Sequence, residues 1–267
     1  MLRRVIVSML AGVLVAGAAT VAFVPSAYAT TSCSTTLHDT TVRGNLVVPP
    51  GATCELDHVT VTGSVQVGQG ANLQEDSGSS IHGSVQLASN SDFLELPGAA
   101  IGGSVTGSSP FYVELDGSVG SVSLTDPVGF FLSGTVSGSV TVTGASGTTP
   151  GGLPNGVCGA TIGGNLTVQD STSGSPWVIG DTNPAVTGSC PTGNSIRGSA
   201  SILSNAASVD FSDNTVGSSL SVSRNTGGGT LDDNQVTGSI SCASNNPRYA
   251  AAGNTSRGIN QAAGGSC

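Results

Sequence analysis

The chain has 267 residues, of which 9% are charged, and it contains 40 glycines but no lysine. The lack of lysine excludes Schiff-base chemistry and every mechanism that needs an amine base or nucleophile. Sixteen acidic residues outnumber seven arginines, and this negative balance argues against a nucleic-acid partner.

The first 29 residues are typical of a secretory signal peptide. Two arginines precede an apolar run from Val5 to Phe23, and Ala27-Tyr28-Ala29 has the small-x-small pattern of a signal peptidase site. We predict cleavage after Ala29 and secretion, with no membrane association afterwards. Since the apolar run is long enough to cross a bilayer, an uncleaved anchor is the alternative. Removal of the leader would leave a net charge near −11.

Beyond the leader, the pattern seen in "VTGSVQV" and "IHGSVQL" recurs along the whole chain. Its glycine position advances in steps of 19, 20, 20, 17, 18, 26, 34, 20 and 20 residues. Apolar and polar residues alternate within each copy, which indicates a strand, and a second alternating strand such as "FYVEL" precedes several copies. Strands at this period, with no room for a helix between them, favour a solenoid of stacked parallel coils.

We therefore predict an all-β fold, a single-stranded parallel β-helix of about ten rungs of ~20 residues. We expect a right-handed coil, because the strict hexapeptide spacing of left-handed versions is missing. One domain covers 30–267, with insertions around 144–196 and a C-terminal cap at 243–267. A two-sheet sandwich is the alternative, disfavoured because it needs no fixed period.

All six cysteines lie in the predicted mature chain, and an even count in an exported protein predicts three disulfides. We favour sequential pairing, because inward positions in the first and last rungs place one cysteine near each end of the coil. A disulfide there would tie a terminal segment over an open end and favour a monomer. The middle pair flanks the insertions. The cysteines are Cys33, Cys54, Cys158, Cys190, Cys242 and Cys267.

Asparagine also recurs with the period. Asn90, Asn205, Asn225 and Asn245 follow the glycine position by seven residues, whereas Asn214 and Asn234 precede it by four. Asparagine tolerates tight turns, and its amide can bond to the same amide one rung away. These residues are predicted to build corners of the coil rather than a catalytic site.

Carboxylates form a candidate site. Glu55, Glu75 and Glu95 each precede a rung glycine by eight residues, Glu114 follows nineteen residues after Glu95, and Asp210 occupies the same position in a distant rung. On an outward face, neighbouring carboxylates would lie about 5 Å apart. That spacing suits a retaining glycosidase pair, or Ca²⁺ held by Glu75, Glu95 and Glu114. A solvated acidic face is the favoured interpretation, with the cation site and the catalytic pair as alternatives.

Small hydroxyl side chains form two further columns. If both columns point outward, they would make a flat face for sugar or for ordered water, although serine and threonine also simply solvate a strand. The first column is Ser64, Ser84, Ser104, Ser121, Ser139, Ser199, Ser219 and Ser239, and the second is Thr106, Ser123, Thr141, Thr167, Ser201, Ser221 and Ser241.

Aromatic residues are few. Phe93, Phe111, Tyr112, Phe130 and Phe131 recur near the rung period and are predicted to stack in the core. Trp177 lies in the insertion and is predicted to pack in the core or within a loop, with stacking on an exposed glycan as the alternative.

The rungs, beginning with "VRGNLVVPPGATCEL", and the tail "CASNNPRYAAAGNTSRGINQAAGGSC" resemble secreted β-helix repeat proteins of high-GC Gram-positive bacteria. More distantly, the Gly-Ser/Asn-Val rung is similar to that of bactofilins, β-solenoids that form polymers. The first resemblance implies a secreted bacterial β-helix and the second implies self-assembly. Neither supplies catalytic residues.

The function that these features favour is a non-catalytic secreted or cell-surface structural or binding protein, associated with glycan or cell wall. A polysaccharide-active lyase or hydrolase is one alternative. It is disfavoured because the arginines are scattered and because a negative protein repels an anionic polymer. A bactofilin-like self-assembling polymer is the other. No cofactor is expected apart from Ca²⁺. The arginines are Arg43, Arg197, Arg224, Arg248 and Arg257.

Overall fold

A computed structural model describes residues 30–180, 190 and 192–267. The predicted signal peptide lies outside the described residues, as do positions 181–189 and 191 within the predicted insertions. The described residues form strands and turns without a helix. Accordingly, no membrane-spanning helix is found among them.

The chain winds into a parallel β-solenoid of eleven turns, and each turn contributes one strand to an 11-stranded first sheet. Neighbouring strands pair in parallel and in register, as Asp92–Glu95 does with Tyr112–Leu115. The strands of the first sheet are β2 (Thr36–His38), β5 (Thr53–Asp57), β8 (Asn72–Glu75), β11 (Asp92–Glu95), β13 (Tyr112–Leu115), β15 (Gly129–Leu132), β18 (Asn155–Val157), β21 (Trp177–Ile179), β24 (Val209–Ser212), β27 (Gly229–Asp232) and β30 (Ala250–Ala252).

A second sheet of twenty strands forms two rows, one on each side of the repeated glycine. The row before the glycine holds β3 (Thr41–Val42), β6 (Thr60–Val61), β9 (Ser80–Ile81), β16 (Thr135–Val136), β19 (Thr161–Ile162), β22 (Ser195–Ile196), β25 (Thr215–Val216), β28 (Gln235–Val236) and β31 (Thr255–Ser256). The row after it holds β1 (Thr30–Ser32), β4 (Asn45–Val48), β7 (Val65–Val67), β10 (Val85–Leu87), β17 (Val140–Thr143), β20 (Leu166–Gln169), β23 (Ala200–Leu203), β26 (Leu220–Ser223) and β29 (Ile240–Ala243). Two longer strands, β12 (Ala100–Ser108) and β14 (Ser118–Thr125), belong to both rows.

The apolar columns predicted from the repeat form the core. Val61, Ile81 and Ile101 pair with one another across consecutive turns and are buried. One buried cluster runs from Cys33 to Cys267 through the length of the solenoid. The predicted β-helix is therefore confirmed, because a period of about twenty residues stacks equivalent side chains on each other.

The end of the chain differs from the prediction. Residues 243–267 were expected to form a cap, but β30 and β31 within this segment make an eleventh turn. The cap proper is the shorter stretch 257–267. Its backbone closes on the last turn through the hydrogen bonds of Cys267 N to Tyr249 O, 2.9 Å, and Ile240 N to Ile259 O, 2.8 Å.

The disulfides follow the sequential pattern and join Cys33 to Cys54, Cys158 to Cys190 and Cys242 to Cys267. The last one ties the end of the cap to β29. The first one joins the two N-terminal turns through the core, where both cysteines are buried. It therefore ties neighbouring turns together rather than covering the N-terminal edge.

The repeated glycine lies close to the backbone of the preceding turn, so Gly83→Ala should destabilise the protein. A Cβ on Gly83 would lie 2.6 Å from the carbonyl oxygen of Gly63 and would also collide with the hydroxyl of Ser64. We expect a loss of about 1–3 kcal/mol, as for other overpacked sites. Thermal unfolding beside Gly174→Ala, whose Cβ would meet nothing within 4 Å, is the measurement. Equal effects of the two substitutions would contradict this explanation.

Candidate functional site

The acidic column predicted from the sequence is divided between two sides of the first sheet. Glu75 pairs with Glu95, and this pair stacks between Leu56 and Leu115 in an inward column. Glu114 instead pairs with Leu94 and points outward. The expected single outward column is therefore wrong, because residues one position apart on a strand face opposite sides.

Glu55 and Asp210 also belong to the outward set. Glu55 pairs with Gln74, and Asp210 pairs with Val178 and Thr230. Asp210 accepts hydrogen bonds from the amide and hydroxyl of Thr230, 3.1 and 3.0 Å. These two acids lie far apart along the solenoid and do not form a pair.

Glu75 and Glu95 are fully buried, and none of their four carboxylate oxygens has a hydrogen-bond partner. Burial and the neighbouring Glu95 charge raise the pKa of Glu75 to about 9. Burial raises the pKa of Glu95 to about 7, with a smaller contribution from Asp116. Nearby backbone amides, including that of Ala100, lower these pKa values without meeting the geometry of a hydrogen bond.

The predicted calcium ligands do not converge. Glu114 lies on the opposite side of the sheet from Glu75 and Glu95, and its carboxylate accepts a hydrogen bond from the Tyr112 hydroxyl, 2.8 Å. In the part of the chain that the structure describes, no three His, Cys, Asp or Glu side chains are placed to hold a metal ion. Calcium binding by this chain stays a prediction.

The two hydroxyl columns have different roles. Hydroxyls of the first column accept hydrogen bonds from the backbone of the next turn, as Ser64 Oγ does from Ser84 N and Ser84 Oγ does from Ser104 N, each 3.1 Å. This column therefore joins turns and is not a free binding face. The second column stacks in register, as Thr141 does with Thr167, and is partly exposed.

The aromatic predictions are only partly right. Phe93 and Phe130 are buried in the core, and so is Trp177, whose ring centre lies 6.0 Å from that of Phe130. The Trp177 indole N–H donates to Ser171 Oγ, 3.1 Å, so this residue is not an exposed glycan platform. By contrast, Phe111 is 47% exposed, and Tyr112 and Phe131 point outward from the first sheet.

These outward aromatic residues line a groove that the sequence analysis missed. Two cavities, of 320 and 470 Å³, share Tyr112, Glu114 and Pro150. Phe131 and Leu153 line the first, and Asp92 and Phe111 line the second. We call the surface formed by Asp92, Phe111, Tyr112, Glu114, Phe131 and Pro150 the Tyr112 groove.

Glycines in the neighbouring turns let the rings lie along the surface. A Cβ on Gly129 would lie 3.1 Å from the Tyr112 ring, and one on Gly156 would lie 2.8 Å from the Phe131 ring. Each aromatic side chain therefore covers a glycine of the next turn. The stretch 149–154 of the insertion forms a wall beside them.

The polar groups of the groove are the hydrogen-bonded pair Tyr112 and Glu114 and, on the adjacent turn, Asp92. Asp92 pairs directly with Tyr112, and one of its carboxylate oxygens is buried without a partner. Burial raises the pKa values of Asp92 and Glu114 above their ordinary range. Burial and Glu114 likewise raise the pKa of Tyr112, which keeps its hydroxyl proton as a donor.

Comparison of the chain with known protein families, curated proteins and solved structures found no match. The resemblances to secreted bacterial β-helix proteins and to bactofilins therefore stay predictions. The Tyr112 groove combines an aromatic surface with partly buried hydrogen-bond acceptors.

Proposed function

We propose that this chain is a non-catalytic secreted scaffold, a disulfide-tied rod that binds glycan or cell wall outside the cell. Eleven turns at the spacing of parallel strands give a rod about 50 Å long. Six cysteines paired in three disulfides suit an oxidising compartment.

The observation that carries this proposal is the closed C-terminal end. An open solenoid end offers unpaired backbone to another molecule. Here the stretch 257–267 occupies part of that backbone, and the disulfide from Cys242 to Cys267 fixes it in place. End-to-end growth into a bactofilin-like polymer would have to displace a covalently tied segment.

Sedimentation velocity on the oxidised chain 30–267 over a wide concentration range tests the proposal. We expect an elongated monomer both with and without Ca²⁺. Long assemblies under oxidising conditions would favour the polymer instead. Release of new reducing ends from a polysaccharide would favour the enzyme, and we expect none.

Opening the cap should change this behaviour. The double variant Cys242→Ser with Cys267→Ser should lose about 3 kcal/mol by the loop-entropy estimate, and it should associate at high concentration because strand edges become free. The matched control is Cys158→Ser with Cys190→Ser, which removes a disulfide away from either end. If both double variants associate equally, the cap is not what keeps the rods apart.

A further inference from the structure

The Tyr112 groove differs from the rest of the solenoid surface in composition. The outward column that passes through it changes from Glu55 and Gln74 to Leu94, Glu114 and Phe131. The described chain has three large apolar side chains that are well exposed, and two of them, Phe111 and Leu153, line these cavities at 47% and 51% exposure. Apolar surface gathered in a concave site is typical of ligand binding.

The direction of the groove indicates an extended ligand. Its lining residues from Asn72 to Gly156 come from five consecutive turns, β8 to β18, which cover about 20 Å along the axis. The two cavities are adjacent, since Tyr112, Glu114 and Pro150 line both of them. A chain lying along the axis would contact equivalent positions on successive turns.

The charge of the groove restricts the chemistry of that chain. Asp92 and Glu114 contribute carboxyl groups, and the described residues that line the two cavities include neither arginine nor histidine. An anionic polymer would meet like charge without a compensating cation. A purely apolar ligand would cover these acceptors without supplying donors, which is costly for buried polar groups.

An uncharged polyhydroxylated ligand meets both requirements, because it carries no negative charge and it supplies hydrogen-bond donors. Its hydroxyls can donate to the carboxyl groups of Asp92 and Glu114, which line these cavities, and hydrogen bonds to carboxylates are strong. Its apolar ring faces can pack on Phe111, Tyr112 and Phe131, whose rings supply a large and rigid contact area. The remaining hydroxyls would stay in water on the open side.

Building on the scaffold function proposed above, we propose that the Tyr112 groove binds an uncharged polysaccharide whose chain lies along the solenoid axis. Tyr112 is its central contact, with its ring as a platform and its hydroxyl orienting Glu114. Asp92 and Glu114 act as acceptors for sugar hydroxyls. No bond is made or broken in this role.

The test is native affinity electrophoresis followed by calorimetry with the oxidised chain 30–267. The probes are a soluble β-1,3-glucan, a galactomannan and hydroxyethyl cellulose as uncharged polymers, with polygalacturonate and polylysine as charged ones. We expect binding to at least one uncharged polymer and none to polygalacturonate. Tyr112→Ala should weaken binding at least about tenfold, as expected for a central aromatic contact, whereas Tyr112→Phe should weaken it less.

Thr135→Ala, at an exposed position of β16 in the second sheet, is the matched control and should bind like the wild type. Circular dichroism checks folding, and Phe111→Ala serves as a second groove variant should Tyr112→Ala unfold. A folded monomer that binds none of the uncharged polymers, binds only polylysine, or binds equally well after both groove substitutions overturns this inference but leaves the scaffold proposal intact. Fibres in sedimentation overturn the scaffold proposal instead.

Discussion

Raising the pH from about 5 to about 9 should destabilise this protein, because two glutamates then ionise inside its core. Burial raises the pKa of Glu75 to about 9 and that of Glu95 to about 7, whereas an unfolded chain has values near 4.3. The native state therefore binds more protons than the unfolded state at pH values between the unfolded and the native pKa values of these glutamates. The free energy of unfolding falls as pH rises through this window, by an amount on the order of several kcal/mol.

Urea denaturation at several pH values measures this loss. The double variant Glu75→Gln with Glu95→Gln keeps the shape of both side chains but cannot ionise, so its stability should depend much less on pH. Replacement of both by leucine, the residue above and below them in the column, should stabilise the protein most at alkaline pH. Glu55→Gln, on the outward side, is the control. If the free energy of unfolding of the double glutamine variant fell with pH as steeply as that of the wild type, ionisation of Glu75 and Glu95 would not be the cause.

Asn214→Ala should be among the most destabilising single substitutions, because this side chain connects three turns. Its amide nitrogen donates to Ile179 O, 2.9 Å, and to Asn234 Oδ1, 3.1 Å, while its oxygen accepts from Asn194 Nδ2, 2.9 Å. All of these contacts are buried. Alanine would leave several polar groups without partners, so we expect a loss of about 3 kcal/mol or more.

Thermal and urea unfolding of Asn214→Ala beside Asn72→Ala gives the comparison. Asn72 is exposed, and its amide makes one long hydrogen bond to Thr53 Oγ1, 3.5 Å, so its loss should change stability by no more than about 0.5 kcal/mol. Asn225→Ala, in the parallel ladder through Asn205 and Asn245, should resemble Asn214→Ala. Similar small losses for all three would show that the amide ladders contribute little.

The ladders also show how far local patterns predict this structure. Asn214, Asn234, Asn205 and Asn225 recur at the period of the coil, and the predicted amide contacts between turns are present. The first predicted hydroxyl column was correctly located, but its role was not predicted. Its hydroxyls accept backbone hydrogen bonds from the next turn, an arrangement that depends on the distance between turns and not on the repeat alone.

The groove could not be predicted in the same way. Phe130 and Phe131 are adjacent and equally apolar, yet Phe130 is buried and Phe131 points outward. An outward aromatic residue is distinguished from an inward one only by strand register. The signal that could have revealed the groove is glycine, since Gly129 and Gly156 follow Tyr112 and Phe131 one turn later and leave room for their rings.

The sequence by itself determined the solenoid, because apolar residues repeated every twenty or so positions can be buried together only by stacking. The tertiary structure alone decided which side of the sheet each acid faces. Thr60, Ser80 and Ala100 are equivalent positions at the start of the second sheet in three consecutive turns. Glu75 and Glu95 each lie five residues before that position, whereas Leu56, which pairs with Glu75, lies only four residues before it. The corner between the two sheets therefore differs in length by one residue from turn to turn, which shifts the strand register by one residue. A shift of one residue in a strand moves a side chain from the core side of the sheet to the solvent side.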